Sequence, residues 1–220
     1  MALTREQLAQ MIDHTELKPN ATDERIRELC KEAIKYHFGA VCVNSSNVDT
    51  AVETLEGRDT EICSVVGFPL GAMATEAKAY EAGVAVRSGA TEIDMVMNIG
   101  AFKSGKDRYV VEDIRAVVEA AEGNPVKVIL ETGYLSEDEI RRACKLAEEA
   151  GAHFVKTSTG FGPRGASVVD VRIMNEAVGG RLGIKAAGGI GTLEDAKAMV
   201  EAGATRIGAS RGKTILEGFD

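Results

Sequence analysis

Residues 92–98 read Glu-Ile-Asp-Met-Val-Met-Asn. Alternate side chains of a strand point to opposite faces. Ile93, Met95 and Met97 therefore share one face, and Asp94, Val96 and Asn98 share the other. Outward from this run, short β-rich runs recur at residues 12–15, 40–44, 62–67, 126–131, 154–158, 182–187 and 206–210. Helical patterns fill the intervals. Ile26, Leu29, Cys30, Ala33, Ile34 and His37 mark one helix face, and Ile140, Ala143, Cys144 and Ala147 another. Ser136 with Glu139, and Thr192 with Asp195, read as capping boxes at helix starts. A Gly-Ala pair closes a helical pattern before a strand at residues 39–40, 89–90, 151–152 and 203–204. Glycine suits such an end because helices often finish in the left-handed region. Eight strands alternating with helices predict an α/β fold, a (β/α)8 TIM barrel, with a doubly wound open sheet as the competitor. Residues 4–11 predict a short extra N-terminal helix that closes the bottom of the barrel. No linker divides the chain, so residues 1–220 are expected to form a single domain.

The outer face of a barrel strand packs on apolar helices, so the polar parity must point inward. Lys127, Ile129 and Glu131 oppose Val126, Val128 and Leu130; Phe154, Lys156 and Ser158 share a parity; Cys42 opposes Val41 and Val43; Lys185 opposes Ile184. This gathers Asp94, Lys127, Glu131, Lys156, Lys185 and Arg206 inside one barrel. Burying one unpaired charge costs several kcal/mol, and a chain shaped only for stability would place Val, Ile or Leu there. A paired structural network, with Lys127 and Glu131 as members, is the plain alternative. His14 reads as a structural histidine. Two inward lysines have a chemical use. A lysine amine attacks a carbonyl only when neutral, and a second cation and partial desolvation both favour that form. Asp94 is placed to move protons through a water.

Three Gly-rich loops follow the late strands, at residues 159–162, 188–191 and 208–212. Barrels commonly bind phosphate there through backbone N–H groups. The net charge of −8 makes nucleic acid and anionic membranes poor partners, while a local pocket can still take a small anion. Cys30, Cys42, Cys63 and Cys144 show no metal spacing and fit buried thiols in a reducing cytoplasm. The first residues carry no apolar signal segment, and no apolar run reaches membrane-spanning length.

The segments IDHTELKPNAT, VCVN, VVGFPLGAMATEAKAYEA, EIDMVMNIGAFKSG, KVILETGYL, FVKTSTGFG and GIKAAGGI, spread over nearly the whole chain, resemble the deoxyribose-phosphate aldolase family. The resemblance implies reversible cleavage of 2-deoxy-D-ribose 5-phosphate to D-glyceraldehyde 3-phosphate and acetaldehyde. It implies Lys156 as the Schiff-base lysine, Lys185 as the second lysine and Asp94 as the proton-relay acid. Cys42 matches a non-essential cysteine near the substrate. Gly160, Gly188, Gly189, Gly208 and Ser210 match phosphate-contacting positions, joined by Thr159 in substrate binding. No metal or organic cofactor is implied, and a homodimer or homotetramer is expected. Two departures stand out. Some members carry a lysine at the position of Phe161, and some end in a longer tail with a tyrosine. Two alternatives remain open: another lysine-dependent barrel aldolase acting on a different phosphorylated sugar or keto acid, or a non-catalytic sugar-phosphate-binding barrel.

Overall fold

The computed structural model describes residues 3–219. Its eight parallel strands close into a barrel in chain order, with the last bonded to the first. They are β1 (Ile12–Glu16), β2 (Ala40–Asn44), β3 (Glu61–Val66), β4 (Glu92–Val96), β5 (Val126–Ile129), β6 (Phe154–Lys156), β7 (Gly183–Ala187) and β8 (Arg206–Ala209). Each β-rich run of the sequence overlaps one of them, and the open-sheet competitor is excluded. Several strands stop earlier than the pattern predicts because the chain turns into the loops of the upper rim. Beyond β4, Asn98 leaves the ladder and its side chain caps the next helix by accepting from Ala101 N.

The helices are α1 (Arg5–Met11), α2 (Asp23–Tyr36), α3 (Val48–Leu55), α4 (Thr75–Arg87), α5 (Ile99–Lys103), α6 (Asp107–Ala120), α7 (Glu137–Glu149), α8 (Val168–Val178), α9 (Leu193–Glu201) and α10 (Gly212–Glu217). Both expected capping boxes form, and Thr4 with Gln7 makes a third at the start of α1. This helix lies at the lower end of the barrel, where Gly39 N donates to Ala9 O and Gln10 donates to His37 O. The Gly-Ala turns are not all alike. Gly89, Gly151 and Gly203 take positive φ, whereas before β2 His37 is the left-handed residue, at φ 57. His37 is thus an exposed helix cap and not part of the buried face of α2. Gly39 answers a different need: a Cβ there would lie 2.2 Å from the carbonyl oxygen of Gln10.

Ile26, Leu29, Ile93, Val128, Ile140, Val155, Ile184 and Ile207 belong to a continuous apolar jacket between strands and helices. Each such side chain contributes roughly 1.5–3 kcal/mol on burial. That surplus lets the barrel carry charge inside. No helix among the described residues is long and apolar enough to cross a membrane.

Candidate active site

Inside the barrel lies a buried charge cluster. Its centre is Asp94 on β4, fully buried. Asp94 Oδ1 accepts from Lys127 Nζ at 3.0 Å and from the Cys63 thiol at 3.0 Å. Asp94 Oδ2 accepts from both Lys156 Nζ and Lys185 Nζ, each at 2.6 Å. The strand register explains this meeting: Asp94 pairs with Lys127, and Lys156 pairs with Lys185, which pairs with Arg206. In-register residues on neighbouring strands have their side chains on the same face.

The remaining partners come from below and from β1. Lys185 also donates to Asp13, and Arg206 Nε donates to Asp13 Oδ1 at 2.8 Å. Lys127 Nζ donates to Glu92 at 2.5 Å, and Arg206 reaches the same Glu92 oxygen at 3.1 Å. Four cationic side chains thus share three carboxylates. Burial opposes the charges of Asp13, Asp94, Lys127, Lys185 and Arg206, but the pairing wins. Lys127 and Asp94 hold each other's charge: the lysine lies well above its ordinary range and Asp94 well below its own, helped by Lys156 and Lys185. Against burial, Asp13 and Asp94 hold Lys185 well above the lysine range. Asp13 falls from 3.8 to about 2, burial being outweighed by Lys185, Lys127 and Arg206.

Above the cluster opens a cleft of about 410 Å³. Lys156, Thr159, Gly160, Gly188, Gly189, Gly208 and Ser210 line it, as does Phe161, which packs edge-on against Phe68 at 5.5 Å. Asp94, Lys185 and Cys42 do not reach its wall; all three lie buried within the barrel below. Among the described residues, Lys156 alone joins the cleft to the cluster. Gly188 and Gly189 hold φ values of 90 and 80, which favours glycine in the loop after β7. Gly208 serves a second purpose. A Cβ there would lie 3.1 Å from Lys185 Cε and 2.9 Å from Ala187 Cβ.

The expected pairing of Lys127 with Glu131 is not made. Lys127 is taken by Glu92 and Asp94, and Glu131 accepts from Thr159 N at 3.2 Å and from the Thr159 hydroxyl. His14 points out of the barrel, with Nε2 2.7 Å from Glu32. Sequence reasoning missed Asp13 and Glu92 as anchors. Both lie on the inward parity of their strands, so the argument applied to Asp94 could have found them. It also missed Lys18 and Arg211, which line the cleft and have no ion-pair partner among the described residues. Lys18 precedes a proline in the loop after β1, and Arg211 follows Ser210.

A lysine at the floor of a cleft, bonded to a buried carboxylate that a second lysine shares, can form an imine and exchange protons. The DeoC/LacD family aldolase profile matches residues 7–218. The chain belongs to the DeoC/LacD family of aldolases. It is 60% identical over 213 residues to the deoxyribose-phosphate aldolase of Aciduliprofundum boonei, covering 96% of each chain. It is 57% identical to that of Caldanaerobacter subterraneus, covering 96% of this chain and 92% of the other. Among solved structures, a tetrameric deoxyribose phosphate aldolase from Aeropyrum pernix superposes with a TM-score of 0.92 at 35% identity, covering 98% of this chain and 92% of that one.

Proposed function

We propose that this aldolase reversibly cleaves 2-deoxy-D-ribose 5-phosphate into D-glyceraldehyde 3-phosphate and acetaldehyde through a Schiff base on Lys156. The observation that carries the reading is the position of the Lys156 amine, on the cleft wall and 2.6 Å from an Asp94 oxygen that also binds Lys185. The high identity to relatives named for that reaction supports the substrate.

The neutral Lys156 amine adds to the C1 aldehyde of the open-chain sugar; the carbinolamine hydroxyl takes a proton from solvent and leaves as water, giving the iminium. A water held by Asp94 and Lys185 takes the proton of the C3 hydroxyl. The C2–C3 bond breaks, its electron pair flows to the iminium, and glyceraldehyde 3-phosphate leaves. The remaining enamine gains a proton at C2, and hydrolysis releases acetaldehyde and restores the amine. Asp94, held ionised by the lysines around it against the opposing effect of burial, orients both lysines, and with Lys185 it relays the proton through that water. The phosphate lies against Gly160, Gly188, Gly189, Gly208 and Ser210, with Thr159 shaping the wall. Cys42 sits beneath the substrate, buried beside Lys185. The reaction itself calls on no metal or organic cofactor, since the iminium is the electron sink.

A homodimer or homotetramer is proposed by analogy with the tetrameric Aeropyrum pernix relative. Four free, buried cysteines and a net charge of −8 fit a cytoplasmic protein acting on a small sugar phosphate and acetaldehyde, with neither nucleic acid nor membrane as partner. The test is acetaldehyde with borohydride followed by peptide mapping. A two-carbon adduct on Lys156 is expected. Labelling of Lys185 with Lys156 clean would reverse the assignment.

A further inference from the structure

Glu131 is buried, only 2% exposed, and lies outside the lysine cluster. Its backbone is unusual. Leu130 N donates to Lys156 O at 2.9 Å, and Thr132 N donates to Thr157 O at 2.9 Å. Two residues beyond β5 therefore advance along β6 by one, and Glu131 is the extra residue of a bulge. It adopts φ 55, a left-handed conformation that a side chain such as glutamate seldom takes. Such a conformation persists only where its surroundings hold it, and the observed outlier asks for a reason.

The bulge turns the carboxyl group away from Lys127 and under the loop after β6. Oε2 accepts from Thr159 N at 3.2 Å and from the Thr159 hydroxyl, while the Thr159 hydroxyl accepts from Phe161 N at 3.0 Å. Oε1 is buried without a partner. The carboxyl group is pressed against Gly162, where a Cβ would fall 2.7 Å from it. The next residue fixes the far end of the same segment. Thr132 Oγ1 donates to Asp170 Oδ2 at 2.9 Å, and Arg164 bonds both Asp170 and the Thr132 carbonyl. Gly160, at φ 86, is left between these clamps facing the cleft, with open space around it.

We propose that Glu131 is a positioning residue that clamps the 159–162 loop through Thr159 and so sets the anion-binding geometry of the cleft. The inference rests on the phosphate placement proposed above. It does not rest on which sugar carries the phosphate. A purely structural glutamate would weaken every activity alike. A loop clamp acts on the phosphate and spares the imine chemistry below.

The test compares wild type with Glu131→Ala, Glu131→Gln, Thr159→Val and Thr159→Ser. Calorimetric binding of inorganic phosphate and steady-state kinetics on deoxyribose 5-phosphate and on deoxyribose are the readouts. Glu131→Ala and Thr159→Val should each weaken phosphate binding about tenfold and raise KM for the phosphorylated sugar about tenfold. In Glu131→Ala kcat should stay within about threefold of wild type, with KM for deoxyribose unchanged. Thr159→Ser, which keeps the hydroxyl, and Glu131→Gln, which keeps an acceptor oxygen, should recover most of the affinity. Thr159→Val is near-isosteric and keeps the test decisive if Glu131→Ala does not fold. Unchanged phosphate affinity in Thr159→Val, or equal losses on both sugars, would overturn the proposal. A wild-type enzyme that binds phosphate but turns over a different phosphorylated sugar would correct the proposed substrate and leave this test intact.

Discussion

Removing the two unpaired cations of the cleft, Lys18 and Arg211, should cost affinity for the phosphate and nothing else. Neither has an ion-pair partner among the described residues, and both line the cleft beside the Gly-rich loops. A phosphate monoester carries about 1.5 to 2 negative charges near neutrality. A cation about 4 Å away in water-like surroundings contributes about 1 kcal/mol per unit charge. Both side chains are exposed, so screening reduces the full figure. Lys18→Ala and Arg211→Ala should therefore each raise KM for deoxyribose 5-phosphate about five- to tenfold, and the double variant about 50-fold. Salt supplies an independent handle, because the screening length falls from about 30 Å at 0.01 M to about 3 Å at 1 M. Wild-type KM should rise with salt, and the double variant should be nearly insensitive. Phe161 borders the same space, so Phe161→Lys in the double variant should recover part of the lost affinity. Steady-state kinetics with phosphorylated and unphosphorylated deoxyribose provide the assay. Equal effects on both sugars, or a wild-type KM indifferent to salt, would refute the reasoning.

Lys185→Leu removes a cation that shares an Asp94 oxygen with Lys156. Borohydride trapping on Lys156 should survive but move to higher pH, while turnover falls at least 100-fold; an unchanged trapping profile would leave Lys185 with proton transfer alone. Asp13 has a depressed folded-state value, about 2 against an ordinary 3.8. Its stabilisation is therefore fully present above about pH 4 and is lost as pH falls towards 2, a loss of roughly 2 kcal/mol that Asp13→Asn should abolish from the acid arm of urea-unfolding curves. An acid arm as steep in the variant as in wild type would count against that account.

The strands were legible because inward and outward residues alternate, and the barrel because eight such runs alternate with helices. Asp94, Lys156 and Lys185 were legible for the same reason: a charge on the buried parity of a strand is conspicuous. The partners were not. Asp13 stands 172 residues from Lys185 in sequence, and only barrel closure brings β1 beside β8 and its charges across to β7. Lys18 and Arg211 gave no signal, since an exposed loop cation looks like any other. Glu131 was read on the parity of Lys127, and a one-residue bulge redirected it. Lys78 was wholly hidden. It sits in a polar-looking stretch of α4, yet it is fully buried, donating to Asp113 at 2.7 Å and to Val96 O at 3.0 Å.

The arithmetic of the cluster joins these observations to the chemistry. Four cations face three carboxylates, so one positive charge is in surplus. Lys185 touches Asp13 and Asp94, Lys127 touches Glu92 and Asp94, and Arg206 touches Asp13 and Glu92. Lys156 has a single carboxylate contact, through an oxygen it shares with Lys185. It is also the member of the cluster that opens to the cleft. Lys156 is therefore the cation of the cluster with the fewest carboxylate contacts. In the proposed mechanism, a neutral Lys156 amine would leave the buried charges balanced, and the iminium would return one positive charge to the same place. The site can hold either count at that nitrogen, because every other charge of the cluster has at least two partners. A catalyst that alternates between amine and iminium needs such a site, and an interior of Val, Ile and Leu could not supply it.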